Sequence, residues 1–526
     1  MDRELAGVFP EESEIPAAFR PAAPTKFRDY LADGEIRIWR GSSLPVLSPI
    51  SLRRGERLER VRLGSYPALT SRESLRILEA AGRAFGQGRG EWPALSIGRR
   101  AAAFEKFLGR IAAKKKEICR TLMWEIAKPY AELEDEFERT VDFLGQVLDA
   151  ARARERASAK LRRDKGIVGV VRDEPLGVAR CLGPYNYPLF ETMSLVGPAL
   201  IMGNTVVVKP PRFGVLFFRH FLEDLRDCFP AGAVNVVFGD GPTVVEPLMK
   251  SGRVDILAFI GTSRTANHLM GLHPHKNRLQ AVLGLGAKNA AVILADADIE
   301  VAVKESLLGA LAFNGQRCAA LKIFFVHERI AADYLGALKK GVERIRVGMP
   351  WMKGVRTTPL ADAERVAYLD GLVLDARRRG ARILNDKGGA HAGSLFRPTL
   401  LYPVNRLMRV FHEEQFGPVL PVVPFGRIEE PLDFLRCSPY GQQLSVFGRD
   451  QSGLRPILEA ARTQVARINV NAKCQRGPDI FPFTGRKDSA KGDFSRAGIL
   501  DLVSARSVIA ARETARGESL IRSLKP

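Results

Sequence analysis

The segment Phe313-Asn314-Gly315-Gln316-Arg317-Cys318 contains the residue best suited to covalent chemistry. Cys318 is followed by Ala319 and Ala320, small neighbours that let a thiolate face a cleft, and preceded by Arg317, whose charge would lower the thiol pKa. A thiolate in that setting can attack a carbonyl carbon. Asn186 supplies what such an attack requires. In Gly183-Pro184-Tyr185-Asn186-Tyr187-Pro188 it falls in a loop just after an apolar strand, where a side-chain amide can donate to an oxyanion. Taken singly, each has a plainer reading as a core cysteine or a turn asparagine; together they point to carbonyl chemistry.

Such residues need a frame, and the pattern order is that of an α/β protein. Thr70-Ser71-Arg72-Glu73 reads as a capping box, and the spacing of Phe104, Leu108 and Ile111 continues a helical period towards Arg154, so helices are expected to dominate the first third. β-branched runs follow at 167–171, 205–208, 234–238 and 255–260, alternating with helical stretches at 217–228 and 244–249. That alternation predicts a parallel sheet with crossovers. A second strand-helix series runs from Asn289 to about Ile468, with no internal repeat or low-complexity linker.

Composition narrows the class. A chain of 526 residues, 46% apolar and 26% charged, has room for two or three domains and the balance of a soluble globular protein. Its six cysteines lack paired short spacings, so neither a disulfide framework nor a metal site is expected, and a reducing cytoplasm fits. The N-terminal stretch carries Glu11, Glu12 and Glu14 and no apolar core, which argues against a secretory signal. The most apolar run, 193–208, is broken by Pro198, Gly203 and Asn204 and falls short of the roughly 20 residues of a membrane span. The net charge of +21 is dispersed through groups such as Arg53-Arg54 and Lys114-Lys115-Lys116 without interleaved aromatics. These read as solvated faces, so neither nucleic acid nor membrane is an expected partner. The summed field still attracts small polyanions such as phosphorylated substrates and a phosphorylated dinucleotide.

Six motifs in order carry a family resemblance: Pro184 to Pro188, Gly203-Asn204, Val208-Lys209-Pro210, Phe259 to Ser263, Gly315 to Cys318, and Glu413 to Pro418. From about Tyr30 to Ala511 the chain resembles the aldehyde dehydrogenase superfamily. Gln475-Arg476-Gly477-Pro478-Asp479 and Phe481-Pro482-Phe483, with Tyr187 and Arg317, most resemble its non-phosphorylating, NADP-dependent glyceraldehyde-3-phosphate dehydrogenases. The resemblance implies an α/β, aldehyde dehydrogenase-like fold with a Rossmann-like cofactor domain (1–156 and 177–286) and an α/β catalytic domain (287–495). A β-hairpin oligomerisation arm with the C-terminal tail (157–176 and 496–526) would make a homodimer or homotetramer.

The same resemblance assigns roles. Cys318 would form a thiohemiacetal and then a thioester, with the Asn186 amide holding the oxyanion. Lys209 and Arg212 would hold the 2′-phosphate of NADP, with NAD as the alternative dinucleotide. Gly261, Thr262 and Ser263 would face the pyrophosphate from a helix start, Glu414 the nicotinamide ribose, and Phe416 the ring. Tyr187, Arg317, Arg476 and, as a third arginine, Arg152 would bind the phosphate of a small phosphorylated aldehyde such as glyceraldehyde 3-phosphate.

One position departs from the family. Leu283-Gly284-Leu285-Gly286-Ala287-Lys288 has glycine where the family places the carboxylate that activates water for thioester hydrolysis. General-base catalysis is typically worth about 10²- to 10⁴-fold, so Gly284 leaves three readings: hydrolysis with another base, acyl transfer to coenzyme A or phosphate, or a dinucleotide-binding scaffold. Glu191 and His412 are the candidate substitute bases.

Overall fold

A computed structural model describes residues 2–523; Met1 and Leu524 to Pro526, the extreme ends of the expected outer segments, lie outside the described residues. Two largely parallel sheets position the site. The first contains Val178–Leu182, Thr205–Lys209, Val234–Val236, Ile256–Ile260 and Gln280–Gly284. Side by side they run third, second, first, fourth and fifth in chain order, all parallel. This doubly wound order reverses next to Val178–Leu182 and leaves a crevice beyond the carboxyl ends of the strands, where dinucleotides bind. These strands are nearly continuous apolar runs, as expected for a parallel sheet covered on both faces. A short antiparallel strand, Ala490–Lys491, closes the edge and pairs Ala490 with Gly284.

The second sheet has seven strands, in the order Arg382–Ile383, Thr399–Tyr402, Val419–Phe425, Ile323–His327, Ala290–Ile293, Gln443–Phe447 and Arg467–Val470. Only Arg382–Ile383 runs antiparallel to its neighbour. Separate apolar clusters pack on its two faces. Cys318 lies in the approach to Ile323–His327, near the middle of this sheet.

The helix Phe190–Ile201 is buried on every side and follows directly from the Asn186 loop. Its first N–H groups are held from the long helix Tyr130–Ser158: Leu189 and Phe190 donate to Glu136 Oε1 at 3.2 and 3.0 Å. Glu136 is itself paired with the fully buried Lys128 at 2.6 Å. A buried carboxylate thus satisfies a helix start that no ordinary cap serves.

The helical stretch expected from Thr70 towards Arg154 is present as Ser71–Phe85, Ile97–Ala113, Lys115–Ile126 and Tyr130–Ser158, whereas strands rather than long helices precede it. Ser43–Arg54 and Arg57–Pro67 form a long antiparallel hairpin, with Thr25–Lys26 added along one edge. Its buried residues Val46, Ile50, Leu52, Leu63 and Tyr66 are interrupted by Pro45, Pro49 and a register shift after Val46, which hides the period of two. The capping box is half made: Thr70 accepts from Glu73 N–H at 3.3 Å, whereas the Glu73 carboxylate takes the Tyr30 hydroxyl at 2.8 Å instead.

The arm has three antiparallel strands, Arg162–Asp164, Ile167–Pro175 and Ser504–Arg512. Ile167 and Val508 on it are 44% and 67% exposed. Among the described residues, no helix is long and apolar enough to cross a membrane.

Candidate active site

The backbone around Cys318 is held in an unusual shape. Phe313, Asn314 and Gly315 have φ of 45°, 56° and 70°, consecutive left-handed residues between the helix Ile299–Leu311 and the cysteine. Strain of this kind persists only where surroundings over-determine it. Here Asn314 donates to the Thr358 carbonyl at 3.0 Å and accepts from Thr358 N–H at 3.0 Å. A Cβ at Gly315 would lie 2.7 Å from the Ala310 carbonyl oxygen and 2.8 Å from that of Gly417, so only glycine fits. Beyond the bend, the Cys318 carbonyl accepts from the Asn289 amide and from Lys322 Nζ, each at 2.9 Å. Cys318 is therefore clamped before and after its side chain.

Asn186 arrives from the other sheet. Its Nδ2 donates to the Gln316 carbonyl at 2.8 Å, which ties the loop after Val178–Leu182 to the cysteine loop. An amide nitrogen has two N–H groups, so one remains for an oxyanion. The thiol itself is pushed above its ordinary value, first by burial and then by Glu191, while Lys322, Arg476 and Arg317 pull the other way. Arg317 thus acts in the expected direction but does not prevail, because desolvation disfavours the thiolate more strongly.

Cys318 lines a cavity of about 20 Å³ with Glu191, Ile260, Gly284, Arg476 and Phe494 among its walls. Room for a family carboxylate has been filled: a Cβ on Gly284 would meet Ile260 Cγ1 at 3.1 Å and Phe494 at 3.5 Å. Arg476 is 7% exposed and forms a buried ion pair with Glu191, with Asp479 at 3.8 Å. Three phenylalanines, Phe143, Phe190 and Phe483, surround its guanidinium. The charge of Arg317 acts on Glu132. The ring of Tyr187 lies 3.3 Å from Lys128 Nζ.

Asn186, Tyr187 and Arg317 are not among the residues lining this cavity, and Arg152 and His412 are held elsewhere. Arg152 is bound by Glu105 at 2.7 Å and approached by Asp149 at 3.6 Å, an arrangement on the long helix that takes its guanidinium elsewhere. His412 is exposed and its Nε2 lies 2.8 Å from the Arg406 carbonyl. Conversely, Lys322, Asn289 and Arg139 were not singled out from the sequence. Arg139 reaches Asp479 at 3.2 Å and lies over the Phe190 ring, at the edge of the Arg476 cluster. A lysine four residues past the cysteine was the one legible signal among these.

The crevice of the first sheet fits a phosphorylated dinucleotide. Lys209 ends the strand Thr205–Lys209, and its ammonium donates to the Pro210 carbonyl at 3.0 Å. Burial, with some help from buried Arg180, pushes its pKa down to about 8. Neither cation forms an ion pair among the described residues, so an anion at this strand end would relieve both. Arg212 is exposed three residues on, its guanidinium 5.2 Å from the Phe213 ring. Thr262 caps the helix Ser263–Leu272 by accepting from Thr265 N–H at 3.2 Å, with Gly261 just before it; the Ser263 hydroxyl, however, donates to the Asp488 carbonyl at 3.0 Å. Glu414 pairs with Lys322 and accepts from Ala287 N–H at 3.2 Å, bridging the end of the first sheet and the cysteine loop. Phe416, at φ 45°, packs edge-on to Tyr185 with ring centroids 6.0 Å apart.

The chain that joins Cys318 and Asn186 across two sheets is similar over most of its length to known proteins. The model of the Aldehyde dehydrogenase family matches residues 55–508. The chain belongs to the aldehyde dehydrogenase family. It is 33% identical over 446 residues to an NADP-dependent glyceraldehyde-3-phosphate dehydrogenase of Streptococcus equinus, covering 82% of this chain and 89% of that one. A wheat (Triticum aestivum) enzyme of the same name is 30% identical over 477 residues, covering 88% and 91%. Among solved structures, the NADP-dependent glyceraldehyde-3-phosphate dehydrogenase of Bacillus halodurans C-125, complexed with NADP, superposes with a TM-score of 0.86 at 31% identity, covering 93% of this chain and all of that one. Within the aldehyde dehydrogenase fold, Gly284 ends the strand Gln280–Gly284, the position where the sequence resemblance implies a carboxylate.

Proposed function

We propose that this aldehyde dehydrogenase uses NADP to oxidise a small phosphorylated aldehyde, glyceraldehyde 3-phosphate to 3-phosphoglycerate, through a thioester on Cys318. The observation that carries the reading is the Asn186 to Gln316 hydrogen bond, which sets an amide donor from the cofactor sheet beside the nucleophile of the catalytic sheet. The Cys318 thiolate adds to the carbonyl carbon, and the second Asn186 N–H with the Cys318 backbone N–H holds the oxyanion. NADP, when bound, supplies the hydride acceptor. Lys209 and Arg212 take its 2′-phosphate, Gly261, Thr262 and Ser263 lie towards the pyrophosphate, and Glu414 and Phe416 face the nicotinamide end; NAD is the weaker alternative. Arg317, Arg476 and the Tyr187 hydroxyl receive the substrate phosphate, which must compete with Glu191 for Arg476.

Acyl transfer to coenzyme A or phosphate, and a dinucleotide-binding scaffold, find no counterpart among the relatives described above. The exposed apolar residues of the arm support a homodimer or homotetramer, with the segments 1–156 and 177–286, 287–495, and 157–176 with 496–526 as its working units. All six cysteines are free, which supports a reducing compartment, the cytoplasm. Rapid mixing with NADP and glyceraldehyde 3-phosphate tests the activity. A stoichiometric burst of NADPH, absent in Cys318→Ala, is expected; no burst despite intact NADP binding would remove the oxidation reading.

A further inference from the structure

Hydrolysis of a thioester calls for a base, and Gly284 leaves the strand Gln280–Gly284 without one at the cavity. Another wall of the same cavity carries a carboxylate. Glu191 stands in the first turn of the buried helix Phe190–Ile201 and lines the space with Cys318 and Gly284. Its contacts are one-sided: Arg476 and the Ser194 hydroxyl both engage Oε2, and Oε1 receives no hydrogen bond among the described residues. Arg476 is a firm anchor, because its guanidinium lies 4.5–5.5 Å from the centres of three phenylalanine rings. A carboxylate with one oxygen anchored and the other unengaged can orient a water and take its proton. The cavity of about 20 Å³ has room for about one water.

Resting on the Cys318 thioester reading, we propose that Glu191 is the general base for acyl-enzyme hydrolysis, working from the helix where the family works from position 284. Glu191 Oε1 takes one proton of the water as the water oxygen bonds to the thioester carbonyl carbon. The carbon–sulfur bond then breaks, its electron pair leaving with Cys318 as the thiolate. The product acid ionises to solvent, and protonated Glu191 returns its proton to the thiolate, so the enzyme is restored. The charge of Glu191 already acts on the sulfur, being second only to burial in raising the Cys318 thiol.

Glu191→Gln tests this with NADP and glyceraldehyde 3-phosphate in rapid mixing. The NADPH burst is expected to persist, while steady turnover falls about 10²-fold or more and the acyl group accumulates on Cys318 by intact-protein mass spectrometry. Hydroxylamine, a nucleophile that needs no such base, should restore turnover. Steady turnover within twofold of wild type overturns the proposal, as does a burst that falls in step with turnover and is not rescued by hydroxylamine. If Glu191→Gln does not fold, Glu191→Asp replaces it: slower turnover with a retained burst and hydroxylamine rescue supports the role, and unchanged turnover sinks it. Absence of a burst in the wild type itself strikes the oxidation reading, which separates the two failures.

Discussion

Lys209, half-buried, and Arg476, buried, are cations held in opposite ways. Lys209 has a backbone carbonyl and, among the described residues, no ion pair, with Asp240 acting on it only from farther off, and its pKa falls to about 8; Arg476 has Glu191. The cofactor side thus awaits an anion that the substrate side already possesses. Because the folded pKa of Lys209 lies below its ordinary 10.5, the unfolded chain holds a proton that the folded chain lacks between those values. Stability from this group therefore rises with pH across that window. Binding of a phosphate favours the ammonium, so NADP affinity should be flat below about pH 8 and fall up to about tenfold per pH unit above it. Titrations from pH 7 to 9.5, with NAD as control, check this; parallel curves for both would take Lys209 away from the 2′-phosphate. Arg212→Glu should cost NADP about 1.5 kcal/mol, the low end for a charged hydrogen bond at an exposed position, and cost NAD little. Equal losses in the two titrations would detach Arg212 from that phosphate. Arg476→Ala leaves Glu191 unpaired beside the sulfur, so the burst should slow for unphosphorylated glyceraldehyde as well as for glyceraldehyde 3-phosphate. A defect confined to the phosphorylated aldehyde would mean that Arg476 serves the phosphate alone.

At the scale of elements, two backbone segments set the chemistry: the left-handed bend before Cys318 and the end of the strand Gln280–Gly284. Gly315→Ala adds a Cβ against two carbonyl oxygens at φ 70°. Strain of this order costs about 1–3 kcal/mol, so a lower melting temperature and a lost burst are expected together; a mutant with a wild-type burst would show that the bend is not needed. Gly284 is outside the left-handed region, so a side chain is not barred by the backbone, but Ile260 stands 3.1 Å from its Cβ position. Gly284→Glu alone is therefore expected to add little turnover, and Gly284→Glu with Ile260→Ala to add more. Steady-state and burst rates of both variants decide it, and a gain from Gly284→Glu alone would show that the walls yield.

Over the whole molecule, the arm is a three-stranded sheet with exposed apolar residues. Its last strand, Ser504–Arg512, presents Val508 at 67% exposure, and a sheet edge of this kind is a ready pairing surface. Val508→Lys should shift a dimer or tetramer towards monomer in sedimentation velocity while leaving the Cys318 burst of each chain intact. A wild type that already sediments as a monomer would contradict the assembly.

The strands at 205–208, 234–238 and 255–260 were legible in the sequence because they rest on local signals, whereas Val178–Leu182 and Gln280–Gly284 were not singled out and the run at 167–171 belongs to the arm. Apolar runs of five residues fit covered strands, and the small residues Ala319 and Ala320 flank the nucleophile. The absence of a carboxylate at Gly284 was equally plain. Glu191 and His412 could both be named from the sequence as substitute bases, but which of them lines the cavity could not be read there. Glu191 meets Arg476 across a separation of 285 residues, and no periodicity, cap or spacing encodes which oxygen of a carboxylate is anchored and which is left unengaged. The same limit misplaced Arg152, an arginine of suitable type whose helix face delivers it to Glu105, and concealed the hairpin of residues 43–67, whose alternation is broken by prolines and a register shift. Residue type and local pattern pointed to the proposed nucleophile and to the α/β frame that carries it. Burial, ion pairing and the space left between side chains, all of them contacts between distant segments, decided the direction of the thiol pKa and which carboxylate faces it.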